Sequence, residues 1–122
     1  MSESRAPIYV VDDDASVREA VGSLVRSAGF RAETFASAQE FLTSPRDDGP
    51  SCLVLDVELP GLSGLDLQQE LVKSDTQIPI IFLTARTGAL DVIEGINAGA
   101  RHYITKPFNM RDLLDKVAKA IK

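Results

Sequence analysis

The sequence predicts an α/β domain in which a five-stranded parallel sheet is sandwiched between helices. Three observations carry that prediction. Short apolar runs alternate five times with segments of helical periodicity along the chain. The central runs are continuously apolar rather than alternating, as a strand covered on both faces requires. At 122 residues the chain suits one core, and neither a repeat nor a linker divides it. Parallel strands joined through helices imply right-handed crossovers.

The first run, at 8–11, stops at the acidic triplet Asp12, Asp13, Asp14. Val17, Ala20, Val21, Leu24, Val25 and Ala28 then recur at three- and four-residue spacing, a helix that Gly29 ends. A second strand is expected at 32–35. Ser37 followed by Glu40 is a capping-box pattern, which opens a short helix containing Phe41 and Leu42. The stretch 44–51, with Pro45, Gly49 and Pro50, reads as a loop. The third run, 52–55, ends at Asp56, and the turn at 57–64 leads into a helix with Leu65, Leu67, Leu71 and Val72. The fourth run, 78–83, ends at Thr84, before a helix carrying Leu90, Ile93 and Ile96 that stops near Gly99. A last strand at 103–105 is followed by Lys106 and Pro107. Asn109 caps a final helix with Leu113, Leu114, Val117 and Ile121.

Composition narrows the chemistry. Cys52 is the only cysteine and His102 the only histidine, which excludes a disulfide framework, a cysteine-rich zinc site and a multi-histidine metal centre. The formal charge of −5 is uneven: residues 1–100 hold 7 basic and 16 acidic side chains, residues 101–122 hold 6 and 2. An acidic main body repels a phosphate backbone, so no direct nucleic-acid binding is expected of this segment. No apolar run approaches the roughly 20 residues of a membrane helix, and the first residues have no apolar signal core. A cytoplasmic location without membrane association is expected.

In an open parallel sheet, ligands bind outside the carboxyl ends of the strands. That rule collects Asp12, Asp13 and Asp14 from the first strand, Asp56 from the third, Thr84 from the fourth and Lys106 from the fifth. Carboxylates converging at one edge repel unless a cation sits among them, and Mg²⁺, a hard ion that takes oxygen ligands, resolves the conflict. Lys106 and Thr84 then offer what a transferring phosphoryl group needs, a positive charge and a hydroxyl donor. A carboxylate can also be the nucleophile, forming an aspartyl-phosphate, and Asp56, alone at the end of the central strand, is the candidate.

The segments VVDDD (10–14), LDVELPGLSG (55–64), LTA (83–85), Tyr103 and KPF (106–108) together strongly resemble the receiver domain of bacterial two-component response regulators, over nearly the whole chain. The resemblance implies the flavodoxin-like (βα)5 doubly wound fold with strand order 2-1-3-4-5. It implies Asp56 as phosphoacceptor, Asp12 and Asp13 as the acidic pair binding Mg²⁺ (or Mn²⁺), and the main-chain carbonyl of Glu58 as a further ligand. It also implies Thr84 as switch hydroxyl, Tyr103 as switch aromatic, and Lys106, in a cis peptide to Pro107, as the lysine that contacts the phosphoryl group. A sensor histidine kinase as donor and a phosphorylation-dependent homodimer are implied in the same way, with the chain a phosphoacceptor and not an enzyme. ETFASAQEFL (33–42) and GARHYITKPF (99–108) look most like the FixJ-like group, whose receivers usually precede a LuxR-type helix-turn-helix output domain. The sequence stops after its last helix, so 1–122 reads as a single receiver, either the N-terminal domain of a longer regulator, the favoured reading, or a stand-alone one.

Other residues have plainer readings. Asp14 suits a helix N-cap better than a ligand. His102 lacks a histidine or cysteine partner and reads as a surface or packing residue, and Cys52 as an inert buried thiol. Glu58 and Arg86, two residues beyond Asp56 and Thr84, are candidates for tuning phosphoryl lifetime. A phosphatase of the haloacid-dehalogenase type would also use Asp56, Thr84 and Lys106. Against it, the second residue of its DxD motif is Glu58 here, and the acidic pair precedes the nucleophile instead of following the lysine. A flavodoxin-type flavin site needs a Ser/Thr/Gly-rich first loop, where this chain has DDDAS. A pseudo-receiver, a pure interaction module, keeps the fold and loses the site, whereas this sequence retains every site residue.

Overall fold

In a computed structural model of the protein the described residues are 6–45, 50–57, 59, 61, 63–74, 78–84, 102–105 and 109–121. Strands β1 (Pro7–Val11), β2 (Arg31–Phe35), β3 (Cys52–Asp56), β4 (Ile80–Thr84) and β5 (His102–Thr105) form one sheet in the order β2-β1-β3-β4-β5. Every neighbouring pair is parallel. Helices α1 (Ala15–Ser27), α2 (Ala38–Thr43) and α3 (Gly64–Lys73) and a C-terminal helix (Met110–Ile121) accompany them. The helix expected around Leu90, Ile93 and Ile96 lies outside the described residues.

Alternate residues of the same strands point into two separate cores. Tyr9, Val11, Leu53, Leu55, Ile80 and Phe82 pack on one face with Ala38 and Phe41 of α2 and Leu67 and Leu71 of α3. Ile8, Val10, Cys52, Val54, Ile81, Leu83 and Ile104 pack on the other with Val21 and Val25 of α1 and Leu113, Val117 and Ala120 of the C-terminal helix. A strand burying both of its faces has no polar face to alternate with, which is why β1, β3 and β4 are buried at every position and why β3 and β4 turn polar only at their last residues, Asp56 and Thr84. Edge strand β2 is partly exposed along its length. In the first core, Tyr9, Phe35 and Phe41 form an aromatic cluster, with Phe41 edge-on to both partners at centroid distances of 5.5 Å.

Local signals set the boundaries. At the end of α1, Gly29 takes φ 96°, and its N–H bonds the Arg26 carbonyl at 3.0 Å while the Phe30 N–H bonds the Val25 carbonyl at 3.1 Å. Together these form a Schellman stop, in a left-handed conformation that glycine adopts without a steric penalty. The fourth strand starts at Ile80 rather than at 78 as expected. Pro79 has no N–H to donate, although its carbonyl still accepts from the Leu53 N–H at 2.9 Å. Strands β1, β2 and β5 each begin one residue earlier than the sequence reading placed them. The capping box of α2 is also displaced: Ser37 Oγ accepts the Glu40 N–H at 3.2 Å, but Glu40 Oε1 reaches the N–H of Ala36, not that of Ser37.

Candidate functional site

The chain runs from β1 outward to β2, then crosses back past β1 to β3, so its direction of travel reverses between β1 and β3. At such a reversal the connections leave in opposite directions and open a crevice at the strands' carboxyl ends. The registers align those ends. Val11 lies opposite Leu55, Asp56 opposite Leu83, and Thr84 opposite Thr105. Asp12 and Asp56 therefore both stand one step beyond the Val11–Leu55 pair, on adjacent strands.

The acidic triplet divides its labour. Asp12 is fully buried, its N–H bonds the Phe35 carbonyl at 3.2 Å, and its Oδ1 accepts the Asp14 N–H at 2.9 Å, turning the chain out of the sheet. Asp14 is the N-cap of α1: its Oδ1 accepts from the N–H of Ser16 at 2.9 Å and from the Ser16 hydroxyl at 2.7 Å. That leaves Asp12 and the exposed Asp13 to face β3. Carboxylate oxygens of Asp12, Asp13 and the buried Asp56 lie within 4.8 Å of one another.

This trio was expected to gather, and it does. Thr84, expected beside it, ends β4 and is fully buried. Tyr103 lies in β5 with its backbone opposite Phe82, and its side chain falls outside the described residues. Glu58, Arg86, Lys106 and Pro107 fall outside them too. Cys52 is buried in the second core, as expected of an inert thiol.

Two features on the far side of Asp56 carried no role in the sequence reading. Helix α3 opens with a true capping box, in which Ser63 Oγ accepts the Asp66 N–H at 3.1 Å and Asp66 Oδ2 accepts the Ser63 N–H at 3.2 Å. Gly64, its first residue, donates its N–H to the Val57 carbonyl at 3.1 Å and packs directly on the backbone of Asp56. The signal was present as Ser-x-x-Asp before the apolar residues Leu67 and Leu71.

The donor set fits a small divalent cation. Three carboxylates whose oxygens lie within 4.8 Å of one another, two of them on buried residues, repel unless a cation sits among them. Mg²⁺ is commonly held by one or two carboxylates with water completing its shell, a demand that three carboxylates this close together can meet. The carboxylates are hard oxygen donors, and no sulfur or imidazole competes among the described residues near them.

Comparison with known proteins points the same way. A family model described as the response regulator receiver domain matches residues 8–118. Response regulator protein TmoT of Ectopseudomonas mendocina is 43% identical over 122 residues, covering 100% of this chain and 56% of TmoT. DNA-binding response regulator MtrA of Mycobacterium tuberculosis is 37% identical over 122 residues, again 100% of this chain and 53% of MtrA. The crystal structure of full-length FixJ from B. japonicum superposes with a TM-score of 0.86 at 33% identity, over 98% of this chain and 59% of FixJ. The chain thus spans little more than half the length of these relatives.

Proposed function

The chain belongs to the response regulator receiver domain family, and from that premise we propose that it accepts a phosphoryl group from a sensor histidine kinase onto Asp56. The observation that carries the reading is the approach of the Asp12, Asp13 and Asp56 carboxylate oxygens to within 4.8 Å at the carboxyl end of the central strand. Asp12, Asp13 and Asp56, joined by the main-chain carbonyl of Glu58, would hold Mg²⁺ or Mn²⁺. A bound ion supplies positive charge to the phosphoryl oxygens as the transfer proceeds.

One Asp56 carboxylate oxygen attacks phosphorus as the bond to the kinase histidine breaks, giving an acyl phosphate. Its backbone is fixed on both sides, by pairing with β4 and by the seat of Gly64. Such rigidity favours an in-line attack, because the nucleophile does not have to be ordered at the moment of transfer. Lys106 would pair with the phosphoryl oxygens. The Thr84 hydroxyl would swing toward them, and Tyr103 would fill the space it leaves, a two-state element biased by a local charge. The chain acts in this reading as a phosphoacceptor in the cytoplasm, with no further substrate of its own.

TmoT, MtrA and FixJ each extend well beyond the region this chain matches, and the reading takes the chain as the receiver part of such a regulator. The description of MtrA as DNA-binding and the likeness to FixJ support transcriptional control through a helix-turn-helix domain, with the phosphorylated receiver dimerising. Incubation with Mg²⁺ and a small acyl-phosphate donor tests the reading. One phosphoryl group per chain, released by hydroxylamine and absent when EDTA is added, is expected. A hydroxylamine-stable label, or none, contradicts it.

A further inference from the structure

We infer that Arg18 is a positioning residue for the acidic site, holding the corner between β1 and α1 so that the carboxylates of Asp12 and Asp13 meet Asp56. The inference rests on the reading of those three residues as a Mg²⁺ site. Arg18 stands in the first turn of α1, and its Nη1 donates to the main-chain carbonyl of Asp12 at 2.7 Å in a part-buried setting. That carbonyl belongs to a fully buried residue one step beyond the last pairing of β1 with β3. A buried carbonyl needs a donor, and the guanidinium supplies a charged one.

The consequence reaches further than Asp12. The Asp12 carbonyl and the Asp13 nitrogen share one planar peptide unit, so pinning the oxygen fixes the direction in which Asp13 leaves the corner. Asp12 is already tied to β2 through its N–H and to Asp14 through its carboxylate. Arg18 adds a further anchor, from the helix that the corner feeds. It thereby orders Asp13, the one exposed carboxylate of the trio.

Charge and geometry predict opposite outcomes when Arg18 is removed. A cationic side chain bonded to Asp12 disfavours a nearby cation by charge alone, so deleting it would tighten Mg²⁺ binding. Loss of positioning weakens binding, typically by 10- to 100-fold for residues that orient metal ligands. Calorimetric titration with Mg²⁺ alone, on wild type, Arg18→Ala and Arg18→Lys at a temperature where each is folded, separates the two. Arg18→Ala is expected to raise the Mg²⁺ dissociation constant about tenfold, and Arg18→Lys, which keeps a cationic donor, to recover part of the loss. In metal-free amide spectra the Asp13 and Asp14 resonances should shift in Arg18→Ala. Unchanged or tighter Mg²⁺ binding in Arg18→Ala overturns the inference, as does a lower melting temperature with affinity and resonances unmoved. Should Arg18→Ala not fold, Arg18→Gln carries the same test with the same signs. A wild type that takes up no Mg²⁺ sinks the metal-site reading itself, which a normal wild type beside an unaffected variant does not.

Discussion

Gly64 lies so close to Asp56 that a β-carbon on it would collide with the Asp56 main-chain carbonyl oxygen and come within 3.0 Å of the Val57 Cα. The first turn of α3 thus rests on the backbone of Asp56, the proposed phosphoacceptor, and the Gly64 N–H bond to the Val57 carbonyl locks the contact. Both atoms struck are backbone and cannot rotate aside. Gly64→Ala must therefore displace either α3 or the end of β3.

The expected result for Gly64→Ala is a stability loss of about 1–3 kcal/mol, typical of overpacking, together with slower phosphorylation from a small donor. Gly61→Ala is the control. Its φ of +76° strains any L-residue, but nothing among the described residues lies within 4 Å of an added β-carbon. It should lose about 1–2 kcal/mol and phosphorylate at the wild-type rate per folded molecule. Urea unfolding and initial labelling rates check both. Equal labelling defects in the two variants would show that Gly64 has no special relation to Asp56.

Mg²⁺ should stabilise the fold. A ligand at 100 times its dissociation constant contributes about 2.7 kcal/mol, read as a rise in melting temperature. Asp13→Ala removes one of three mutually repelling carboxylates, so the metal-free variant should melt no lower than wild type while its response to Mg²⁺ flattens. A full Mg²⁺ shift in Asp13→Ala would remove that residue from the site.

Phe41 anchors the first core through edge-on contacts to Tyr9 and Phe35. Phe41→Ala should cost about 3–5 kcal/mol, whereas Val72→Ser, on the exposed side of α3, should change stability by less than about 0.5 kcal/mol. Chemical denaturation of both variants decides it, and comparable losses would mean that the core is misassigned.

Thr84 is fully buried at the end of β4, beside β5. If its hydroxyl transmits the phosphoryl signal, a beryllofluoride mimic should shift wild type and Thr84→Ser toward dimer in analytical ultracentrifugation and leave Thr84→Ala monomeric. A Thr84→Ala variant that dimerises like wild type would relieve the hydroxyl of that role.

Much of this was legible beforehand, for identifiable reasons. Strands buried on both faces leave continuous apolar runs, so β1 and β3 announce themselves. A strand that ends at a ligand edge changes abruptly to polar residues, so Asp12, Asp56 and Thr84 stand out. What stayed hidden depends on proximity between segments. Gly64 is one glycine among 8 until the backbone of Asp56 is seen beneath it. Arg18 resembles any charged residue of an amphipathic helix until its bond to Asp12 is seen. The start of β4 was misplaced because Ile78 and Pro79 continue the apolar pattern although Pro79 has no ladder N–H to donate.

The central claim is that Asp56 is the nucleophile, and mass spectrometry of Asp56→Asn beside wild type addresses it most directly. Asparagine keeps the shape and burial of the side chain and removes the attacking carboxylate oxygen. With Mg²⁺ and a small acyl-phosphate donor, wild type should gain one phosphoryl group and the folded variant none. An Asp56→Asn protein that gains the same hydroxylamine-labile group at the same rate would contradict the account.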